Sequence, residues 1–198
     1  MPIRLPEPPP ATRHVLEATL ADLAGTPHVL PPGVRRAGPP PLGAALPHAV
    51  HVVDPLALLH GDGLAAARLV AWRWLLVRGG TVVGAADVAC DGDGGRPRFG
   101  AVTQGPIARG TWSTLRQAEH LPDVAAGRWT LRAVSCAGLG ESALWLADDT
   151  GAALLLPVAA ASGPSGGGRQ PARLTPAGWG AALAARIERR LAVALPPP

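Results

Sequence analysis

Lysine, asparagine and tyrosine are absent from this chain, phenylalanine and methionine occur once each, and there are two cysteines in 198 residues. Each scarcity excludes something. Two thiols, Cys90 and Cys136, do not make a disulfide framework, so a reducing cytoplasm is the expected compartment. No apolar run approaches the length of a membrane span. The opening "MPIRLPEPPPATRH" has no uninterrupted apolar stretch after a basic start, so no secretory signal is expected there. All 18 basic residues are arginine, and the formal charge is only +4. With alanine, glycine and proline abundant, GC-rich coding accounts for that bias. The arginine count therefore says little about nucleic acid, which asks for clustered charge.

What is present reads as one domain with appendages. In 13–24, Val15, Leu16, Leu20 and Leu23 recur at helical spacing, with Thr12 as the expected N-cap and Gly25 at the stop. Residues 25–48 are proline-rich and read as an irregular connection. "HAVHVVD" (48–54) is a short strand candidate, after which Asp54-Pro55 reads as a cap and first helical position. "RLVAWRWLLV" puts Val70, Trp72, Trp74 and Leu76 on one face at period two. Gly79-Gly80 then suits a two-residue hairpin turn, so 69–78 and 81–90 are expected to pair, with 97–104 as a third strand. A helix over 111–121 follows, with Trp112, Leu115 and Ala118 inward. Three more strands are expected: 128–136, "SALWLADD" and "ALLLPV".

The predicted fold is α+β: a mainly antiparallel sheet of about six strands in a three-strand, helix, three-strand order, with N-terminal and C-terminal flanking helices. The divisions are a proline-rich segment 1–44, a core 45–158, a Gly/Ser/Pro linker 159–173 and an amphipathic helix 174–198. In that helix Thr175 caps, Pro176 opens, and Trp179, Leu183, Ile187, Leu191 and Leu195 recur every fourth residue.

The motifs that could carry chemistry are weak. "DGDGG" (91–95) fails as a calcium loop, because its fifth, sixth and twelfth positions are Gly95, Arg96 and Val102. It reads as a turn. Gly61, Gly63 and Ala66 match G-x-G-x-x-A, but Pro55 breaks the approach and Asp62 would oppose phosphate. His48, His51, His60, Asp54 and Asp62 could ligate a metal, yet His48 and His51 point to opposite faces of a strand. A thiol nucleophile would need Cys136 or Cys90 beside His120, oriented by Asp123 or Glu119. Ser142 lacks the glycine of a nucleophile elbow. Trp72, Trp74, Trp129 and Trp145, with Arg73, Arg128 and Arg132, could stack bases, but read better as core.

The expected function is a non-catalytic accessory or adaptor protein that binds another protein, or a second copy of itself, through a sheet face or the C-terminal helix. The binding residues expected on that helix are Trp179, Leu183, Ile187, Leu191, Arg186 and Arg190, with no cofactor and no metal. A small metal- or thiol-dependent hydrolase is the alternative. Single-stranded nucleic acid and an anionic membrane surface rank behind both.

Overall fold

The computed structural model describes residues 2–25, 30–35, 40–61, 63–90, 95–136, 138–158 and 172–194. In chain order the elements are β1 (Ile3–Arg4), α1 (Pro10–Gly25), α2 (Pro32–Arg35), β2 (Leu42–Val53), α3 (Pro55–Leu59), a 3-10 turn (Gly63–Ala66), β3 (Arg68–Arg78), β4 (Thr81–Ala89), β5 (Arg98–Thr103), α4 (Pro106–Ala118), α5 (Pro122–Ala125), β6 (Trp129–Cys136), β7 (Glu141–Ala147), β8 (Ala153–Pro157) and α6 (Pro176–Ala194). The turn expected at 91–95, apart from Gly95, and most of the linker expected at 159–173 lie outside the described residues.

The fold is α+β on one mixed, mostly antiparallel sheet of eight strands, which corrects the expected six strands in a three, helix, three order. The strand order is β5-β4-β3-β2-β6-β7-β8, with β1 also beside β6. The two triplets exist as meanders, but β2 joins them at the centre. It runs antiparallel to β3 and parallel to β6. β1 extends the parallel side by pairing Ile3 with Trp129. The sequence offered only the second part of β2, the candidate at 48–54, because Pro47 interrupts the strand. That proline sits at a register shift between Ala45 and His48, where a missing N–H costs no ladder bond.

Several local expectations hold, with shifted boundaries. Gly79 and Gly80 take φ of 55° and 77° at the β3–β4 hairpin. Asp54 accepts from the Leu56 N–H at 2.7 Å, with Pro55 opening α3. Thr175 Oγ1 accepts from the Gly178 N–H at 3.1 Å. Helix α1 starts at Pro10 rather than near residue 13, so Thr12 is not its cap. Thr12 lies inside the first turn and donates its hydroxyl to the Pro9 carbonyl at 2.6 Å. Helix α4 begins at Pro106, earlier than the expected 111. Proline is well suited to a first helical position, so "GPI" starts this helix rather than breaking it.

The sheet is covered on both sides. On one side α1 sets Leu16 against Trp72, Trp74, Leu76 and Val88. On the same side α6 and α3 pack Trp179, Leu183, Ile187 and Leu58 on Val53, Val134 and Leu155. On the other side α4 crosses the strands. Its Ala108 and Trp112 meet Leu75 and Ala85, and its Leu115 and Ala118 meet Leu131, Leu144 and Leu156. Burying a large apolar side chain fully is worth about 1.5–3 kcal/mol, so these clusters hold the helices on the sheet. Among the described residues no helix is long and apolar enough to cross a membrane.

Candidate functional site

The α4 side of the sheet carries an unusual row of polar residues. Cross-strand pairing sets His48 on β2 opposite Arg73 on β3, and Arg73 opposite Asp87 on β4. Arg73 Nε donates to Asp87 Oδ1 at 2.7 Å, and its terminal nitrogen donates to Oδ2 at 2.8 Å. The fork geometry makes this a strong, orienting pair. Each side chain is 22% exposed. The Asp87 carboxylate raises the arginine's pKa and outweighs burial, which acts the other way.

His48 is 1% exposed. Its Nδ1 lies 2.8 Å from the Leu46 carbonyl, which can only accept, so Nδ1 carries the proton and donates. Nε2 is buried without a hydrogen-bond partner among the described residues. Burial, the largest cause, pushes the imidazole down to about 4, and the Arg73 charge adds to it. The Leu46 bond and Asp87 act against it. The ring is therefore neutral at pH 7. The carbonyl it holds belongs to Leu46, whose φ of 54° is the one positive value at a non-glycine among the described residues. Such a backbone costs about 1–3 kcal/mol and persists only where its surroundings enforce it.

Beside this row, between the start of α4 and the strands, lies a cavity of about 250 Å³. Its floor is apolar and mostly small: Val50, Ala85, Ala133 and Leu144. Hydroxyls of Thr111, Ser135 and Ser142 interrupt that surface, and Arg73 stands at the wall. Ser135 and Ser142 are directly paired across β6 and β7. Helix α4 starts here with Gly105 at the cap position, which offers no side-chain hydrogen bond. Its first-turn N–H groups point out of the helix unpaired by it. The dipole of such an end favours an anion by about 0.3–1 kcal/mol. Stripping a carboxylate of water costs several kcal/mol. The wall's one charged residue, Arg73, is already balanced by Asp87, so the site as a whole suits an uncharged group.

The residues singled out from sequence fall elsewhere. Trp179 and Leu183 are each 3% exposed, and Ile187 is 8% exposed, all three against the chain's own sheet. Arg186 pairs with Glu141 at 2.6 Å, and Arg190 donates to the Gly138 carbonyl at 3.1 Å. Leu191 stands half open, at 50%, and Arg186 and Arg190 are exposed too. Sequence reasoning passed over Val193, which is 85% exposed.

The histidines and cysteines do not converge. His48 and His51 lie on opposite sides of the sheet, as the strand period requires. His51 meets Trp145 edge to face at 5.2 Å, and burial together with Arg132 lowers its pKa. His60 and His120 are exposed. Cys136 is buried, and burial followed by Asp54 and Glu141 pushes its thiol up, away from thiolate. Cys90 is half-buried. Among the described residues no three of His, Cys, Asp and Glu are grouped to hold a metal. Gly61 and Gly63 take φ of 88° and 53° in the turns between α3 and β3, with no strand leading into them. Asp62 lies outside the described residues. Trp72 and Trp74 are core, while Trp129 and Trp145 are half-buried. Arg132 stacks over Trp145 at 4.9 Å. Arg73, grouped with the tryptophans in the sequence, lies on the opposite side of the sheet from Trp72, Trp74 and Trp145.

The Arg73–Asp87 pair and the cavity were missed. Their only trace in the sequence is one charge inside each of two apolar strands, and Ser142 was weighed as a nucleophile rather than as a wall. No known family model, no curated protein and no solved structure matches the chain.

Proposed function

We propose that this chain is a non-catalytic accessory protein that binds another protein through the α4 side of its sheet, with the cavity receiving one of the partner's side chains. The observation that carries the reading is the cavity's size on a floor of small residues, about 250 Å³. An apolar cavity of about 150 Å³ holds benzene, so this one has room for about ten non-hydrogen atoms, the scale of one large side chain. Interfaces draw most of their affinity from a few such anchors seated in pockets. No histidine or cysteine is among the residues that line this cavity.

The test is affinity capture from the source cells with the tagged chain and with Ser142→Leu and Ser135→Leu, both of which fill the cavity. The expected result is a protein retained by the wild type and lost by both variants while their melting temperatures hold. Retention by both variants, or no retained protein at all, overturns the reading.

A second reading rests on the end of α6, where Leu191 and Val193 are exposed beside Arg189 and Arg190. That combination suits an acidic partner with an apolar face. Leu191→Glu with Val193→Glu removes it. Loss of the captured protein in this variant, with retention in the cavity variants, favours α6 over the sheet.

A further inference from the structure

We infer that the group this cavity takes is an uncharged aromatic ring with a hydrogen-bonding edge, an inference that rests on the cavity's being the recognition site. Three observations converge on that chemistry. The first is charge. Arg73 is the one charged residue of the lining, and two short bonds to Asp87 balance its charge, so the pair brings no net charge to the cavity. A charged occupant would be desolvated without a partner. The start of α4 draws an anion only weakly against that cost.

The second is the pattern of polarity. Val50, Ala85, Ala133 and Leu144 offer an apolar bed, while Ser135 and Ser142 sit together on neighbouring strands. Each hydroxyl donates and accepts. A ring lying on the bed presents an amide, indole N–H or phenol edge to them. The third is size. A volume of about 250 Å³ has room for about ten non-hydrogen atoms, which suits a ring with one substituent.

Benzamide, benzoate and benzamidinium share one outline and differ in charge, so they test the inference directly. Each is titrated into the full ¹⁵N-labelled chain. Benzamide is expected to move the amide signals of Ala108, Ala133, Ser135 and Ser142, and to bind at least about tenfold more tightly than either ion. Ser142→Leu and Ser135→Leu are expected to abolish those shifts while the rest of the spectrum is kept. The inference is overturned if benzamide leaves those signals in place, if either ion binds as well, or if both filled variants still bind. The two proposals fail separately. A partner lost on filling the cavity, with no benzamide response, removes the ring chemistry alone. A benzamide response with no captured protein removes the protein-binding reading alone.

Discussion

His48 should make this protein lose stability in mild acid. In the unfolded chain its pKa returns to the ordinary 6.5, whereas in the fold burial holds it at about 4. The unfolded state therefore takes up the proton first as pH falls. The contribution is fully present above pH 6.5, declines through the window between 6.5 and about 4, and is gone below it. A gap of about 2.5 units corresponds to about 3 kcal/mol in all, of which about 2 kcal/mol is lost by pH 5. Urea unfolding followed by tryptophan fluorescence at pH 7.5 and pH 5 reads this directly. With a slope of about 2.5 kcal/mol/M, the midpoint should fall by roughly 0.8 M on account of this residue. Carboxylates and His51, whose pKa is also lowered, move the midpoint as well. The informative quantity is therefore the difference between the wild type and His48→Asn, whose amide nitrogen can stand in for Nδ1 at the Leu46 carbonyl. If both proteins show the same pH dependence, or if the imidazole titrates near 6.5 by NMR in the folded chain, the argument from burial fails.

Three further outcomes follow from the packing. Leu183→Ala should cost about 2–5 kcal/mol in urea unfolding, since Leu183 is 3% exposed against Val134 and Leu155; an unchanged midpoint would mean that α6 is not docked. Gly84→Ala should cost about 1–3 kcal/mol, because an added Cβ would lie 2.6 Å from the Thr103 carbonyl and 2.9 Å from Val34; a neutral result would show that β5 can move aside. In thiol titration with a disulfide reagent at pH 8, half-buried Cys90 should react well before Cys136, which is 2% exposed with its thiol pushed up; simultaneous reaction would contradict the burial of β6.

The parts that were legible in the sequence are those in which neighbours along the chain decide the outcome. Gly79-Gly80 turns because only glycine takes two positive φ values cheaply. Thr175-Pro176 and Asp54-Pro55 start helices because a side-chain acceptor and a preset φ act within a few residues. Trp179, Leu183 and Ile187 recur at helical spacing, so an apolar stripe was certain. Whether that stripe met the chain's own sheet or something else was not, because sequence carries no record of which surface lies opposite.

The site depended on registers that only the assembled sheet sets. Counting back from the Gly79-Gly80 turn in a regular ladder puts Arg73 opposite Ala86 and turns Asp87 to the tryptophan side. The ladder instead pairs Val77 with Val82 and Leu76 with Gly84, leaving Val83 as an extra residue. That bulge shifts every later pair by one and brings Asp87 opposite Arg73. The central place of β2, interrupted by Pro47, then adds His48 to the same row. Composition and spacing thus determined the helices, the hairpin and the apolar faces, since these are local matters of dihedral preference and period. The tertiary structure decided the ion pair, the buried imidazole and the cavity, since a single-residue slip between strands exchanges the two sides of the sheet and nothing local penalises it.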